Sequence, residues 1–175
     1  MSTSMWEYNG KSRPPFAVLP RQGQESVWDY PRPPAVVPAN KTVEVLYHGR
    51  ALAMSKHALR VLETAGPPTF YLPVTEVDFD CLSVSPDTSW CEWKGWTKYW
   101  QLKLDDAPFI PVAWCYPDPN PDYRMLKGLM SFYPGRVECI LDGERVKPQA
   151  GDFYGGWITE DIVGPIKGDP GTEAW

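Results

Sequence analysis

Prolines run through the whole of this chain, 20 in 175 residues. Inside a helix each one withholds a backbone N–H and clashes with the preceding turn, so this spacing leaves no room for long helices. Between the prolines stand short runs of alternating apolar and polar residues, the period of a half-buried strand. Residues 43–54 read as a β-hairpin turning at His48-Gly49, and 137–146 as a second turning at Asp142-Gly143, a dipeptide suited to a tight hairpin turn. The two segments align without gaps, Val43-Glu44 with Val137-Glu138 and Gly49 with Gly143. Either two similar sheet halves or the shared look of exposed hairpins accounts for that. Further strands are expected at 69–72, at 96–104 with Trp96, Lys98, Trp100, Leu102 and Leu104 on one face, at 110–116 and at 129–133. The spacing predicts one short helix, capped by Ser55, carrying Leu59 and Leu62, and stopped by Gly66-Pro67-Pro68. One further turn is expected over 122–127. The fold class is therefore mainly all-β and antiparallel.

The length suits a single domain with appended arms. Residues 1–24 read as a polar N-terminal arm, 25–150 as the domain with a Pro-rich strap over 25–42, and 151–175 as an extended C-terminal arm. In the strap, Trp28 and Tyr30 alternate and are placed to pin it over a sheet edge. The composition is 43% hydrophobic and 22% charged, with a net charge of −5. That is the profile of a soluble globular protein, and it gives no support to nonspecific nucleic-acid or anionic-membrane binding. No apolar run approaches the roughly 20 residues that span a bilayer. The N-terminus lacks a signal-peptide pattern, so a cytoplasmic location is expected. The four cysteines, at 81, 91, 115 and 139, form no C-x-x-C pair. Free thiols are expected, with no metal and no cofactor indicated.

Nine tryptophans, with four of them between positions 90 and 100, mark the region of interest. A set of Trp and Tyr side chains either fills a core or walls a pocket for a flat heterocycle or a quaternary cation. The candidates are Tyr71, Trp93, Tyr99, Trp100, Trp114 and Tyr116. Lys94, before Gly95, reads either as a lysine snorkelling over Trp or as an anchor for an anionic or carbonyl group. Glu63 reads as one half of a structural ion pair with Lys94 or an Arg, as a bond to the neighbouring turn, as a general base, or as a polar anchor. Cys91 reads as a buried thiol or as a nucleophile beside Lys94, for which a distant His48 or His57 would have to serve as base. Asp78-Phe-Asp80 matches a D-x-D metal motif superficially and reads more simply as a solvated strand face. Asp118-Pro-Asn-Pro-Asp122 reads as a rigid acidic turn.

Several motifs in order carry a resemblance: Glu25-Ser-Val-Trp-Asp-Tyr-Pro-Arg-Pro-Pro, Val61-Leu-Glu63-Thr with Pro67-Pro-Thr-Phe-Tyr71-Leu-Pro73, Cys91-x-x-Lys94-Gly95-x-x-x-Tyr99-Trp100, Ala113-Trp114-x-Tyr116 and Phe132-Tyr133. Together, over roughly residues 25–147, they resemble the uncharacterised microbial proteins grouped as domain-of-unknown-function family 427. The tail from Gly155-Gly-Trp-Ile-Thr is similar to that of longer members. The resemblance implies a fold similar to the β-tent, two antiparallel sheets leaning together at one end. Relatives of that fold include the aromatic-cage domain of cereblon and methionine sulfoxide reductase B. Several of them pin the tent with a four-cysteine zinc built from C-x-x-C pairs, which this chain lacks.

Three functional readings follow. The first is a small-molecule binding protein with an aromatic pocket between the two sheets, anchored by Lys94 and Glu63. The second is an enzyme of transferase or hydrolase type using Cys91, Lys94 and Glu63 in that pocket. The third is an interaction module whose Pro-rich arms dock on a partner, with a homodimer through the terminal arms as one form.

Overall fold

The structure is a computed structural model and describes residues 6–151 and 153–175. Its first strands are β1 (Glu25–Ser26), β2 (Ala35–Pro38), β3 (Val43–Tyr47), β4 (Arg50–Ser55) and β5 (Leu59–Leu62). Next come β6 (Thr69–Pro73), β7 (Leu82–Cys91), β8 (Gly95–Leu102), β9 (Pro111–Cys115) and β10 (Leu129–Phe132). Five short strands close the chain: β11 (Glu138–Leu141), β12 (Glu144–Arg145), β13 (Lys147–Pro148), β14 (Trp157–Ile158) and β15 (Ile162–Val163). Two antiparallel sheets dominate, one of seven strands in the order β2-β5-β6-β10-β9-β8-β7 and one of four in the order β12-β11-β3-β4. Neither closes into a barrel. Two ribbons, β1 with β15 and β13 with β14, fasten the chain ends.

Both hairpins form where expected. His48 and Asp142 each take φ of 46°, the left-handed backbone that opens a type I′ turn. They lie in one sheet rather than in two halves. β11 pairs with β3 so that Cys139 stands opposite Val45, and those two residues are equivalent in the gapless alignment. The expected helix after Ser55 is absent. Leu59–Leu62 is instead strand β5, bonded to β2 on one side and to β6 on the other. Two neighbouring strands satisfy its backbone better than a helix ending at Gly66-Pro67 would. The Ser55 hydroxyl accepts from the His57 amide at 2.9 Å and closes a turn instead of capping a helix. Among the described residues helical conformation is confined to 3₁₀ turns, one of them Pro121–Leu126 near the turn expected there.

Asp78 and Asp80 do not share a strand face. Asp78 caps a 3₁₀ turn over Phe79–Cys81, accepting from the Asp80 amide at 3.0 Å. Among the described residues no group of three or more His, Cys, Asp or Glu side chains is arranged to hold a metal. Strand β7 was not apparent in the sequence because Pro86 interrupts it. It forms as an edge strand with an irregularity between Val84 and Thr88, the setting in which a sheet tolerates proline.

The main core lies between the two sheets. Val43, Val45 and Leu52 of the smaller sheet meet Phe70, Leu72, Met130 and Phe132 of the larger. Trp157 is fully buried among them, 5.1 Å from the Phe70 ring, and donates to the Phe132 carbonyl at 2.9 Å. The strap is held by Trp28 and Tyr30, both buried. The Tyr30 hydroxyl donates to Glu25 at 2.6 Å, and Arg60 clamps the same carboxylate with two bonds of 2.8 Å.

Candidate functional site

Strand alternation sets the site. Phe70 and Leu72, or Met130 and Phe132, turn to the inter-sheet core, so Tyr71 and Ser131 between them turn the other way. On that outer face a second cluster forms around Tyr71, Trp114, Tyr116, Tyr123 and Tyr133. A cavity of about 480 Å³ opens against it, within the usual range for small-molecule sites. The pocket is therefore not between the sheets, where it was expected. Close-fitting aliphatics and Trp157 fill that space. The opposite side of the cavity is formed by the strap, the N-terminal arm and the C-terminal segment, through Arg32, Trp6, Tyr154, Gly155 and Lys167.

Seven of the eight predicted residues line this cavity: Glu63, Tyr71, Trp93, Lys94, Tyr99, Trp114 and Tyr116. Trp114 on β9 donates from Nε1 to the Tyr71 hydroxyl at 3.0 Å, with the rings edge to face. Trp114 also lies 4.6 Å from the Tyr133 ring. Tyr99 stands opposite Trp114 in the sheet and shares a 2.8 Å hydrogen bond with Ser89. Trp100 is the exception. Adjacent strand residues face opposite sides, so a sheet that presents Tyr99 to the cavity points Trp100 away. It lies 5.0 Å from Phe79 under the Lys98 ammonium and packs against the inter-sheet core.

Lys94 sits in the tight turn from β7 to β8, closed by the Cys91–Gly95 pair. Gly95 adopts φ of 104°, a conformation that side chains oppose. The rigid Asp118–Pro121 loop buttresses this turn. Asn120 donates its amide to the Lys94 carbonyl at 3.0 Å and its Nδ2 to the Trp93 carbonyl at 2.8 Å. Lys94 is thereby driven inward and is 9% exposed. Its Nζ lies 5.7 Å from the centre of the Tyr116 ring. Among the described residues it has that ring contact but makes neither a hydrogen bond nor an ion pair.

Glu63 is already engaged. It accepts from Trp93 Nε1 at 3.1 Å and pairs with Arg32 Nε at 3.4 Å. Arg32 is fixed in turn by the Tyr8 and Thr64 carbonyls at 2.8 and 2.9 Å. Burial works against the Lys94 ammonium, but Tyr71, Cys91 and Glu63 oppose it and leave its pKa above the ordinary lysine value. Burial also raises Tyr71 and Tyr116. Cys91 lines the same cavity. Neither histidine lines it. His48 sits in the β3–β4 turn and His57 pairs with Glu76 at 3.2 Å.

The alternating pattern did not reveal the other wall. Trp6 lies under two cations, the Arg32 guanidinium at 4.3 Å and the Lys167 ammonium at 4.1 Å from its ring. Its Nε1 donates to Glu92 at 3.1 Å. Gly155 lies flat on Trp114, where a Cβ would come within 2.3 Å of the indole ring. The adjacent glycines 155 and 156 were the one local signal of such close approach.

A family model described as a domain of unknown function (DUF427) matches residues 35–143. The chain belongs to that family. No curated protein matches it. The matched span supplies the aromatic floor and Lys94, whereas Trp6, Arg32, Tyr154, Gly155 and Lys167 lie outside it.

Proposed function

We propose that this member of the family binds a planar small molecule carrying an anionic group, with the ring system between the aromatic walls and the anion on Lys94. One observation carries the reading: Lys94 is 9% exposed, lines a cavity of about 480 Å³, and has no hydrogen bond or ion pair among the described residues. Proteins rarely leave a charge in such a place without a counter-charge. Glu63, the carboxylate that bears on Lys94 electrostatically, is held by Arg32 and Trp93. Tyr71, Tyr99, Trp93 and Trp114 provide flat faces and edges that favour a conjugated ring. The same ammonium weighs against a quaternary cation as the occupant, because like charges repel at short range in a poorly solvated site.

Cys91 in the same cavity supports the enzyme reading, but Glu63 is bound elsewhere and no histidine lines the site, so binding is the better supported activity. Val27, Trp28 and Tyr30 of the strap are buried in the protein's own core, which weighs against a strap that docks on a partner.

The test is a thermal-shift screen read by intrinsic Trp fluorescence. Naphthalene-2-carboxylate is compared with the matched neutral amide and with a matched trimethylammonium. The acid alone should raise Tm and quench fluorescence, and Lys94→Met should abolish both effects. Equal responses to the acid, the amide and the cation would overturn the assignment of Lys94 as anchor.

A further inference from the structure

We propose that Cys91 is a reactive thiol selective for small anionic electrophiles, with the Lys94 ammonium holding the anion while the sulfur attacks. The inference rests on the anion-anchoring role given to Lys94 above. It adds a covalent site to a cavity so far read as a reversible one.

The turn geometry brings the two groups together. Cys91 and Gly95 are paired across the base of the β7–β8 turn, so only Glu92, Trp93 and Lys94 separate the strands. Cys91 and Lys94 both line the cavity. Cys91 is partly exposed and has no disulfide partner. The other three thiols are placed differently. Cys81 and Cys139 are fully buried in the inter-sheet core. Burial raises the pKa of Cys81, Cys115 and Cys139, and none of the three lines the cavity. A thiolate is the nucleophile. Here the cation selects the electrophile, because an anionic reagent is drawn to Lys94 and arrives within reach of Cys91.

The chemistry needs no further reactant. With an α-halo carboxylate, sulfur forms a bond to the α-carbon and the halide leaves with its bonding pair. The product is a thioether, and the thiol proton goes to water. With an α,β-unsaturated carboxylate, sulfur bonds to the β-carbon, the π pair moves to the α-carbon, and that carbon takes a proton from solvent. Either adduct occupies the cavity and closes it to a reversible ligand.

The experiment compares iodoacetate with iodoacetamide on the full chain near neutral pH, with the alkylated cysteine located by mass spectrometry. The same chain unfolded in urea gives the reference ratio of the two rates. In the folded protein the iodoacetate-to-iodoacetamide ratio at Cys91 should exceed the reference by about tenfold, ~1.4 kcal/mol. Lys94→Met should return it to the reference, whereas Lys94→Arg, which keeps the charge, should preserve part of it. A folded ratio equal to the reference, or labelling that favours Cys115, would overturn the proposal. Naphthalene-2-carboxylate separates the two claims. Reversible binding of the acid without charge-selective alkylation sinks this inference alone, and selective alkylation without acid binding sinks the binding function alone.

Discussion

Replacing Gly155 by alanine tests whether the C-terminal segment really closes the cavity. An added Cβ would lie 2.3 and 2.6 Å from two carbons of the Trp114 ring, well inside van der Waals contact. Trp114 has no room to retreat, because its Nε1 is bonded to Tyr71 and Tyr133 lies 4.6 Å away. The strain must therefore lift the segment around residues 153–157. Overpacking of this kind costs about 1–3 kcal/mol, and for a chain of this size each kcal/mol lowers Tm by about 2–4 °C. The expected change is a Tm about 2–12 °C lower, with a matching loss in urea unfolding and weaker binding of the planar acid. The sign carries the test. At an unobstructed position Gly→Ala stabilises by about 0.4–1 kcal/mol through the unfolded chain. A Gly155→Ala protein as stable as the parent, or more stable, would refute the close seating of this segment on Trp114.

Three further outcomes are expected. Lys94→Met should leave the stability of the ligand-free protein within about 1 kcal/mol of the parent in urea unfolding, since the burial cost it relieves is offset by the electrostatic support of Tyr71, Cys91 and Glu63 that it removes; a larger loss would mean that a protein acceptor binds the ammonium directly. Trp100→Phe should lower stability through its contact with Phe79 yet leave acid binding unchanged, and a loss of affinity would contradict its placement on the opposite face. Glu25 is held below the ordinary carboxylate range by its Arg60 hydrogen bonds, against the opposing effect of burial. A depressed carboxylate contributes stability that is present above its unfolded value and lost as pH falls through its folded value. Tm should therefore fall below about pH 4.3, and Glu25→Gln should flatten that slope; an unchanged slope would assign the acid sensitivity to other carboxylates.

The sequence revealed strands far better than it revealed which wall of the cavity they would build. The hairpins at His48-Gly49 and Asp142-Gly143 were legible because turn chemistry is local. Strand β5 was not, since Leu59 and Leu62 stand three apart, a helical spacing, and only pairing with β2 and β6 overrides it. The aromatic floor was legible from alternation at Trp114 and Tyr116 and from the cluster around Trp93. Trp100 was misplaced by treating neighbours in sequence as neighbours in the pocket, although a period of two puts Tyr99 and Trp100 on opposite faces. Trp6, Arg32 and Lys167 could not be read locally at all. They reach the cavity through tertiary folding of both chain ends, and only Gly155-Gly156 carried a trace of the contact. The burial of Lys94 was equally hidden, because it depends on a buttress from Asn120, 26 positions away.

The most direct test of Lys94 as an anion anchor is a crystal structure of the protein soaked with naphthalene-2-carboxylate. The account predicts the carboxylate about 2.8 Å from Lys94 Nζ, with the rings lying against Trp114 and Tyr99. A Lys94 ammonium bonded to a protein acceptor, with the acid absent from the cavity or bound elsewhere, would contradict it.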